Sequence, residues 1–183
     1  MKTHVQVAVI GGGVVGCSVL YHLTKLGWSD VCLIERSELT SGSTWHAAGG
    51  FHTLNADPNM ASLQGYTIKL YKELEALTGL NCGLHHVGGI TLADSPERMD
   101  FIKAARAMHR HMGLDTHIIS PEEIKKLSPI VNTQGILGAL YDPLDGHLDP
   151  SGTTHAYAKA AQIQGAEIYL RNPVTDLKQR PDG

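Results

Sequence analysis

A glycine-rich turn near the start of the chain has the spacing of a phosphate-binding loop. The run Gly11-Gly12-Gly13-Val14-Val15-Gly16 matches the pattern G-x-G-x-x-G, and an acidic residue, Glu35, ends the next predicted strand. In such a loop Gly11 permits the tight turn, Gly13 lets the backbone approach a pyrophosphate, and Gly16 allows close packing of helix and strand. The helix N-terminus attracts phosphate, and the carboxylate accepts hydrogen bonds from ribose hydroxyls. These parts predict a dinucleotide-binding site, for which nicotinamide and flavin cofactors are both candidates.

A second segment contains one histidine among small residues. It reads Gly42-Ser43-Thr44-Trp45-His46-Ala47-Ala48-Gly49-Gly50, and its small side chains let the backbone pass close to a ligand. A neutral imidazole, with an ordinary pKa of about 6.5, is a competent nucleophile near pH 7. It is therefore able to add to the electrophilic methyl group of an oxidised flavin ring. The residues alone leave two interpretations open: His46 bonded covalently to a flavin, or His46 as a polar loop residue beside a non-covalent one.

One strand–helix–strand unit must position these residues. The β-branched run 5–10 predicts a strand buried on both faces, the amphipathic stretch 14–26 predicts a helix that ends at Gly27, and 31–35 predicts a second strand. Together they form a βαβ unit with a right-handed crossover.

The rest of the chain alternates between helical and extended patterns. Residues 37–56 are predicted to form a long loop with a short helical piece, and Asp57-Pro58 to start a helix that runs to Gly79. The expected buried stripe of that helix is Leu63, Tyr66, Leu70, Leu74 and Leu77. Strands are predicted at 85–93, 137–141, 166–170 and 173–178, and helices at 95–113, after the capping box at Ser120, and at 151–164.

Composition excludes several classes of function. The 183 residues carry 15 basic and 18 acidic side chains, a net charge of −3 that offers no electrostatic footprint for nucleic acid or a membrane surface. No apolar run reaches the roughly 18 residues that span a bilayer. Three dispersed cysteines, Cys17, Cys32 and Cys82, favour a reducing compartment, which predicts a cytosolic protein, or a mitochondrial matrix protein in a eukaryote. The eleven histidines lack zinc-site spacing, so no metal site is expected.

The motifs resemble those of the dimethylglycine and sarcosine dehydrogenase family of FAD-dependent amine oxidoreductases. The resemblance starts with the glycine turn, Glu35-Arg36 and the Trp-His-Ala-Ala-Gly segment. It continues through residues 68–71, 87–90 and 142–150, and so covers nearly the whole chain. It implies a covalent bond between His46 and the flavin. It also implies that FAD contacts Val14, Val15, Glu35, Arg36, the segment 42–50 and Val174.

The resemblance also implies a domain organisation and a reaction. The expected fold is a three-layer α/β, Rossmann-like FAD-binding domain, here 1–83 and 142–183, interrupted by the first part of a substrate domain at 84–141. The implied reaction is oxidation of an N-methylated amino acid such as dimethylglycine or sarcosine. Tetrahydrofolate is a further cofactor of full-length relatives, and the electron acceptor is unidentified. The turn-like end at 180–183, with no returning strand, leads us to expect a fragment that is inactive alone and holds no catalytic residue.

Three other functions fit part of the pattern. An NAD-binding dehydrogenase uses the same glycine motif but leaves the Trp-His-Ala-Ala-Gly segment without a role. An amino-acid oxidase with non-covalent FAD remains open, as does a non-catalytic protein similar to the regulatory subunit of pyruvate dehydrogenase phosphatase. That subunit departs from the family at the flavin-linking position, so the presence of His46 favours an enzyme.

Overall fold

The computed structural model describes residues 2–53, 55 and 57–179. The chain is an α/β protein that divides into two compact units. The first unit comprises Met1–Gly49, Tyr71–Leu84 and Leu148–Gly183, and the second comprises Gly50–Leu70 and His85–His147. The strands are β1 (Val7–Ile10), β2 (Val31–Ile34), β3 (Gly50–Phe51), β4 (Gly89–Ala93), β5 (His117–Ile119), β6 (Gly138–Asp142), β7 (Gly146–His147) and β8 (Glu167–Tyr169). The helices are α1 (Val14–Lys25), α2 (Pro58–Thr78), α3 (Pro96–His111), α4 (Pro121–Leu127) and α5 (Pro150–Ile163).

The first unit is built on a parallel sheet in the order β1-β2-β8. Val7 pairs with Val31, and Leu33 pairs with Ile168 on the other side of the central strand. The predicted βαβ unit is therefore present. The burial of its first strand differs from the prediction of a strand covered on both faces. Among the described strands β1 pairs only with β2, and its Ile10 is 52% exposed, whereas the central β2 is buried.

Helices α1 and α5 pack against each other beside this sheet. Small residues make the close contact possible, since Cys17 on α1 and Ala160 on α5 are both fully buried. The rings of Tyr21 and Tyr157 meet across the pair with centroids 5.7 Å apart. Burial of these side chains supplies the apolar free energy that holds α1, and with it the glycine turn, in place.

The second unit is built on an antiparallel sheet in the order β4-β6-β5. One face of β6 carries Leu140, which packs with Ile102 of α3, and the other carries Ala139, which packs with Ile124 of α4. Alternation along β6 places its last residue, Asp142, on the α3 side. Both of the helices begin as predicted, with Ser95 capping α3 and a reciprocal capping box at Ser120 for α4.

Two predicted elements differ from the structure. The stripe of α2 is correct at Leu70 and Leu74, which are buried, but wrong at Leu63, Tyr66 and Leu77, which are 56%, 41% and 44% exposed. The first half of α2 instead buries Ala61 and Ile68, so its covered side is rotated from the leucine stripe. The strand predicted at 173–178 is also wrong, because residues 172–179 are exposed and pair with no strand of the described chain.

The three cysteine side chains are buried. Burial raises the pKa of the Cys17 thiol to about 12 and that of the Cys82 thiol to about 11, and it also raises the pKa of Cys32. Thiolate is the reactive form. We therefore expect the native protein to react slowly with a disulfide reagent at pH 8, and the denatured protein to release all three thiols at once. A fast-reacting thiol in the native state would contradict this burial.

Candidate nucleotide-binding site

A cleft of about 740 Å³ opens where β1, α1 and β2 meet, within the first unit. This volume lies inside the range of roughly 300–1,000 Å³ typical of small-molecule sites. The cleft is at the carboxyl ends of adjacent parallel strands, the place where α/β folds bind ligands. Its walls are Val9 to Gly16, Val19, Glu35, Arg36, Ser41 to Thr44, and Ala47.

The glycine turn is fixed by steric limits at two positions. Gly11 has φ +107°, a conformation that L side chains rarely adopt, and its N–H donates to the Ile34 carbonyl oxygen at 2.9 Å. A Cβ atom at Gly16 would overlap the carbonyl oxygen of Gly11, so only glycine fits where α1 crosses the turn. The roles predicted for these two glycines therefore match their geometry.

The N-terminus of α1 points its amides toward the cleft. Val14 N–H donates to Thr44 Oγ1 at 3.0 Å, and the helical ladder starts only when Cys17 N–H donates to the Gly13 carbonyl oxygen at 3.0 Å. A Cβ atom at Gly13 would lie 3.0 Å from the same Thr44 hydroxyl. A helix end of this kind can supply N–H groups and the positive end of the helix dipole to a phosphate.

Glu35 lies buried at the end of β2 and accepts two backbone hydrogen bonds. Its Oε2 accepts from Gly12 N–H at 2.6 Å, and its Oε1 accepts from Ser37 N–H at 2.8 Å. The side chain is thus fixed in one orientation, with one negative charge beside the cleft. Each carboxylate oxygen retains a further lone pair, which suits the hydroxyl groups of a ribose.

The segment around His46 forms a single 3₁₀ turn, Thr44–His46. Thr44 is buried, whereas Trp45 is 60% exposed and its ring lies 4.0 Å from the His46 ring between centroids. His46 Nδ1 lies 3.2 Å from the Gly42 carbonyl oxygen. A carbonyl oxygen only accepts, so a hydrogen bond at this contact uses Nδ1–H as its donor, and in the neutral tautomer that makes this bond the lone pair is on Nε2.

The cleft brings together most of the residues that the sequence singled out. Beyond the prediction, it also includes Val9, Ile10, Gly12, Val19 and Ser41. Gly12 is the variable position of the glycine motif, to which no contact was assigned. The other four were not recognisable in the sequence because they are ordinary strand, helix and loop residues that the fold brings to the cleft opening. Those predicted residues that line it are Gly11, Gly13, Val14, Val15, Gly16, Glu35, Arg36, Gly42, Ser43, Thr44 and Ala47.

Other predicted contacts lie outside the cleft walls: Trp45, His46, Ala48, Gly49, Gly50 and Val174. Gly49 has a local structural reason to be glycine, because at φ +76° its Cβ atom would overlap the Leu148 carbonyl oxygen. Val174 is 38% exposed in the segment without regular structure. The assignment of these six residues to a cofactor stays a prediction, as does that of the eleven residues in the cleft walls.

Two features of the described residues bear on other kinds of site. No group of three or more histidine, cysteine or acidic side chains within 2–53, 55 and 57–179 is arranged to hold a metal ion. Over the same ranges, none of the helices combines the length and the hydropathy needed to cross a bilayer.

Several curated proteins are similar to this chain over nearly its whole length. Dimethylglycine dehydrogenase, mitochondrial, from Rattus norvegicus is 44% identical and is matched by 100% of this chain and 21% of its own length. Sarcosine dehydrogenase, mitochondrial, from Homo sapiens is 41% identical, over 94% of this chain and 19% of its own. The mitochondrial regulatory subunit of pyruvate dehydrogenase phosphatase from Mus musculus is 35% identical, over 95% and 20%. The chain therefore spans about a fifth of these relatives.

Solved structures share the fold as well. L-proline dehydrogenase from P. horikoshii superimposes with a TM-score of 0.86 at 27% identity, over 93% of this chain and 45% of that one. Glycine oxidase from Bacillus cereus superimposes with a TM-score of 0.80 at 27% identity, over 98% and 49%. The α/β prediction is confirmed by this agreement. The profile of one family, described as "DAO: FAD dependent oxidoreductase", matches residues 6–183, and the chain belongs to that family.

Proposed function

We propose that the full-length protein is an FAD-dependent amine oxidoreductase that oxidises an N-methylated amino acid such as dimethylglycine or sarcosine, with its flavin bonded covalently to His46. The observation that carries the covalent part is the contact between His46 Nδ1 and the Gly42 carbonyl oxygen, 3.2 Å apart. Because Nδ1 donates to the Gly42 carbonyl oxygen, Nε2 is the nucleophilic atom. We therefore assign the C–N bond to Nε2 and the methyl carbon of the flavin benzenoid ring. That methyl group would lose one C–H bond: the proton would leave to solvent, and the two electrons would reduce the oxidised flavin ring, which the protein's electron acceptor would then reoxidise.

The residues of the cleft suit FAD. The adenosine ribose would meet Glu35, the pyrophosphate would meet the amides at the start of α1, and the segment 42–47 would pass beside the remainder of the cofactor. FAD supplies the redox chemistry, since its ring accepts a hydride from the carbon next to the amine nitrogen. The chain's own contribution is to bind the cofactor, orient it and hold it permanently.

The names of similar proteins support the proposed substrate class. Two of the relatives are named as dehydrogenases of dimethylglycine and sarcosine, and a third, 34% identical over 92% of this chain, as 4-methylaminobutanoate oxidase. All three names denote small N-methylated amino acids or their oxidation. We assign the first compact unit to FAD binding and the second to the start of the substrate domain. Residues 50–70 and 142–147 then lie with the substrate unit, although the sequence placed them with the FAD-binding domain.

A non-catalytic regulatory role is the second candidate, because one 35% identical relative is a phosphatase regulatory subunit. A nucleophilic histidine in the flavin-linking segment has no purpose in such a protein. The two candidates therefore differ in whether a flavin is attached to the chain.

Acid precipitation of the full-length protein tests the proposal. We expect the yellow colour to remain in the precipitate of the natural protein, and to move to the supernatant in the His46→Ala variant. The reason is that acid unfolds the chain and releases every cofactor that is not bonded covalently. The measurement is flavin absorbance in both fractions after protease digestion.

His155→Ala is the matched control, because His155 is also exposed and its Nδ1 also faces the carbonyl oxygen four residues earlier, Ser151, at 2.8 Å. This variant should retain its colour in the precipitate. Colour in the supernatant of the natural protein would show that FAD binds without a covalent bond. A colourless protein would contradict the proposed oxidoreductase and support the regulatory role.

A further inference from the structure

Two carboxyl groups meet at the end of β6 inside the second unit. Asp142 is 1% exposed, and Asp145 is half-buried against the backbone of Gly89, where a Cβ atom would overlap its Oδ2. Burial of a carboxylate is costly unless hydrogen bonds or a proton compensate it. The contacts of this pair therefore decide where its charge lies.

Thr53 joins the two carboxyl groups. Its Oγ1–H donates to Asp142 Oδ2, and its N–H donates to Asp145 Oδ1 at 3.0 Å. The other oxygen of Asp142, Oδ1, accepts from Leu144 N–H at 2.9 Å. Both oxygens of Asp142 thus accept, which is the bonding pattern of an ionised carboxylate.

Thr53 donates to both carboxyl groups from neighbouring atoms, its N–H and its Oγ1–H, so Asp142 and Asp145 lie close together. Two neighbouring carboxylates with little exposure to water repel each other, which favours a proton on one of the pair. We propose that Asp145 carries that proton, and that the resulting acid–carboxylate pair is a proton-dependent clasp that holds residues 50–53 on the turn between β6 and β7.

The groups around the pair agree with a proton on Asp145. Burial and the negative charge of Asp142 raise the pKa of Asp145 to about 6, although the Thr53 amide and His52 act in the opposite direction. From α3, His109 faces Asp142. It is 2% exposed and its pKa is lowered by burial, with the Asp142 charge opposing the change. From β4 the backbone of Gly89 faces Asp145.

The clasp is expected to stabilise the position of residues 50–53, because the backbone pairing beside it is short. β3 and β7 share only two residue pairs, Gly50 with His147 and Phe51 with Gly146. The two hydrogen bonds of Thr53 extend this contact two residues beyond Phe51. Residues 50–53 belong to the second unit and are its first residues after the His46 segment along the chain.

The sign of the pH effect follows from the raised pKa. A group whose pKa is higher in the folded state stabilises fully below its unfolded value, about 4, and this stabilisation disappears as pH rises through about 6. We therefore expect the Thr53 amide to become less protected from hydrogen exchange between pH 4.5 and 7.5. After correction for the intrinsic chemical rate, its opening constant should rise at least about tenfold.

The Asp145→Asn variant tests the proposal, because an asparagine keeps an acceptor for the Thr53 N–H and stays uncharged at every pH. Its Thr53 amide should be at least as protected at pH 7.5 as that of the natural protein at pH 4.5, with no loss of protection toward higher pH. Asp94→Asn, an exposed carboxyl group in the same unit, should keep the natural profile. The pKa of His109 is lowered in the folded state, so its protonation reduces protection toward low pH and cannot produce the loss expected at high pH.

The exchange measurement reports directly on the Thr53 hydrogen bond of the clasp, and its result does not depend on a cofactor or a substrate. A level profile in the natural protein overturns the proposal even if the asparagine variant fails to fold. A variant that folds but keeps the natural slope, or that is less protected at pH 7.5, overturns it as well.

Discussion

A single methyl group added at Gly16 is expected to abolish nucleotide binding and to destabilise the first unit. In Gly16→Ala the new Cβ atom would overlap the carbonyl oxygen of Gly11, a backbone atom that has no rotamer to move away. Either α1 shifts from the sheet or the turn opens, and both changes displace the amides that would hold a pyrophosphate. Overpacking usually lowers the free energy of unfolding by up to about 3 kcal/mol, and we expect a loss near that upper end for Gly16→Ala. The measurements are the midpoint of urea unfolding and the affinity for ADP, the nucleotide half of FAD, by calorimetry. Every ADP affinity, here and below, is measured on protein freed of FAD in the His46→Ala background, in which no covalent flavin fills the site.

Gly42→Ala is the matched control for this loss. Gly42 also lines the cleft, but a Cβ atom there meets nothing within 4 Å, so the added methyl group has room. We expect its stability and its affinity for ADP to stay within about twofold of the natural values. Equal behaviour of the two variants would mean that the close approach at Gly16 is not what shapes the turn.

The βαβ unit was predictable because each of its parts carries a local signal. Glycine at position 16 is required by one contact, Gly27 ends α1 with φ +93°, and the central strand 31–33 is continuously apolar because it is covered on both faces. Exposure of β1 was not predictable, since its apolar sequence resembles that of a central strand and only the strand order places it at an edge.

The second unit was harder to predict from sequence because its contacts are not local. β3 and β7 have two residues each, too few for any alternating pattern, and their pairing joins residues 50–51 to 146–147. The rotation of the α2 stripe has the same origin, because leucines mark an apolar side of a helix but the neighbouring elements decide which side is covered. Asp142 and Asp145 read as turn residues in the sequence, and only Thr53, distant along the chain, makes them a pair.

The nucleotide site contains residues that the sequence predicts as well as one whose role the sequence does not predict. Its glycines and Glu35 follow a fixed spacing, because a pyrophosphate and a ribose impose fixed distances on the loop that binds them. Thr44 was selected only as part of a small-residue segment. Its particular role, the hydroxyl that accepts from Val14 N–H, depends on how the loop after β2 folds back over α1.

The Glu35→Gln variant is expected to reduce the affinity for ADP roughly tenfold to a hundredfold, at nearly unchanged side-chain size. Both carboxylate oxygens accept from backbone amides, Gly12 at 2.6 Å and Ser37 at 2.8 Å, whereas glutamine has one oxygen and one NH₂ group. One backbone N–H must then face a donor. Loss of a hydrogen bond to a charged acceptor costs about 1.5–3 kcal/mol, and the Gly12 amide lies within the glycine turn itself.

Glu38→Gln provides the comparison, because Glu38 lies three residues further along, carries the same charge and sits outside the cleft walls in an exposed ion pair with Arg171. Exposed ion pairs contribute little, so this variant should bind ADP as the natural protein does. If both variants weaken binding equally, the general negative charge near the end of β2 would be responsible. If only Glu35→Gln weakens ADP binding, the cause is the loss of the hydrogen bonds between the buried Glu35 carboxylate and two particular backbone amides. The group that binds the ribose would then be fixed in its orientation before the nucleotide binds.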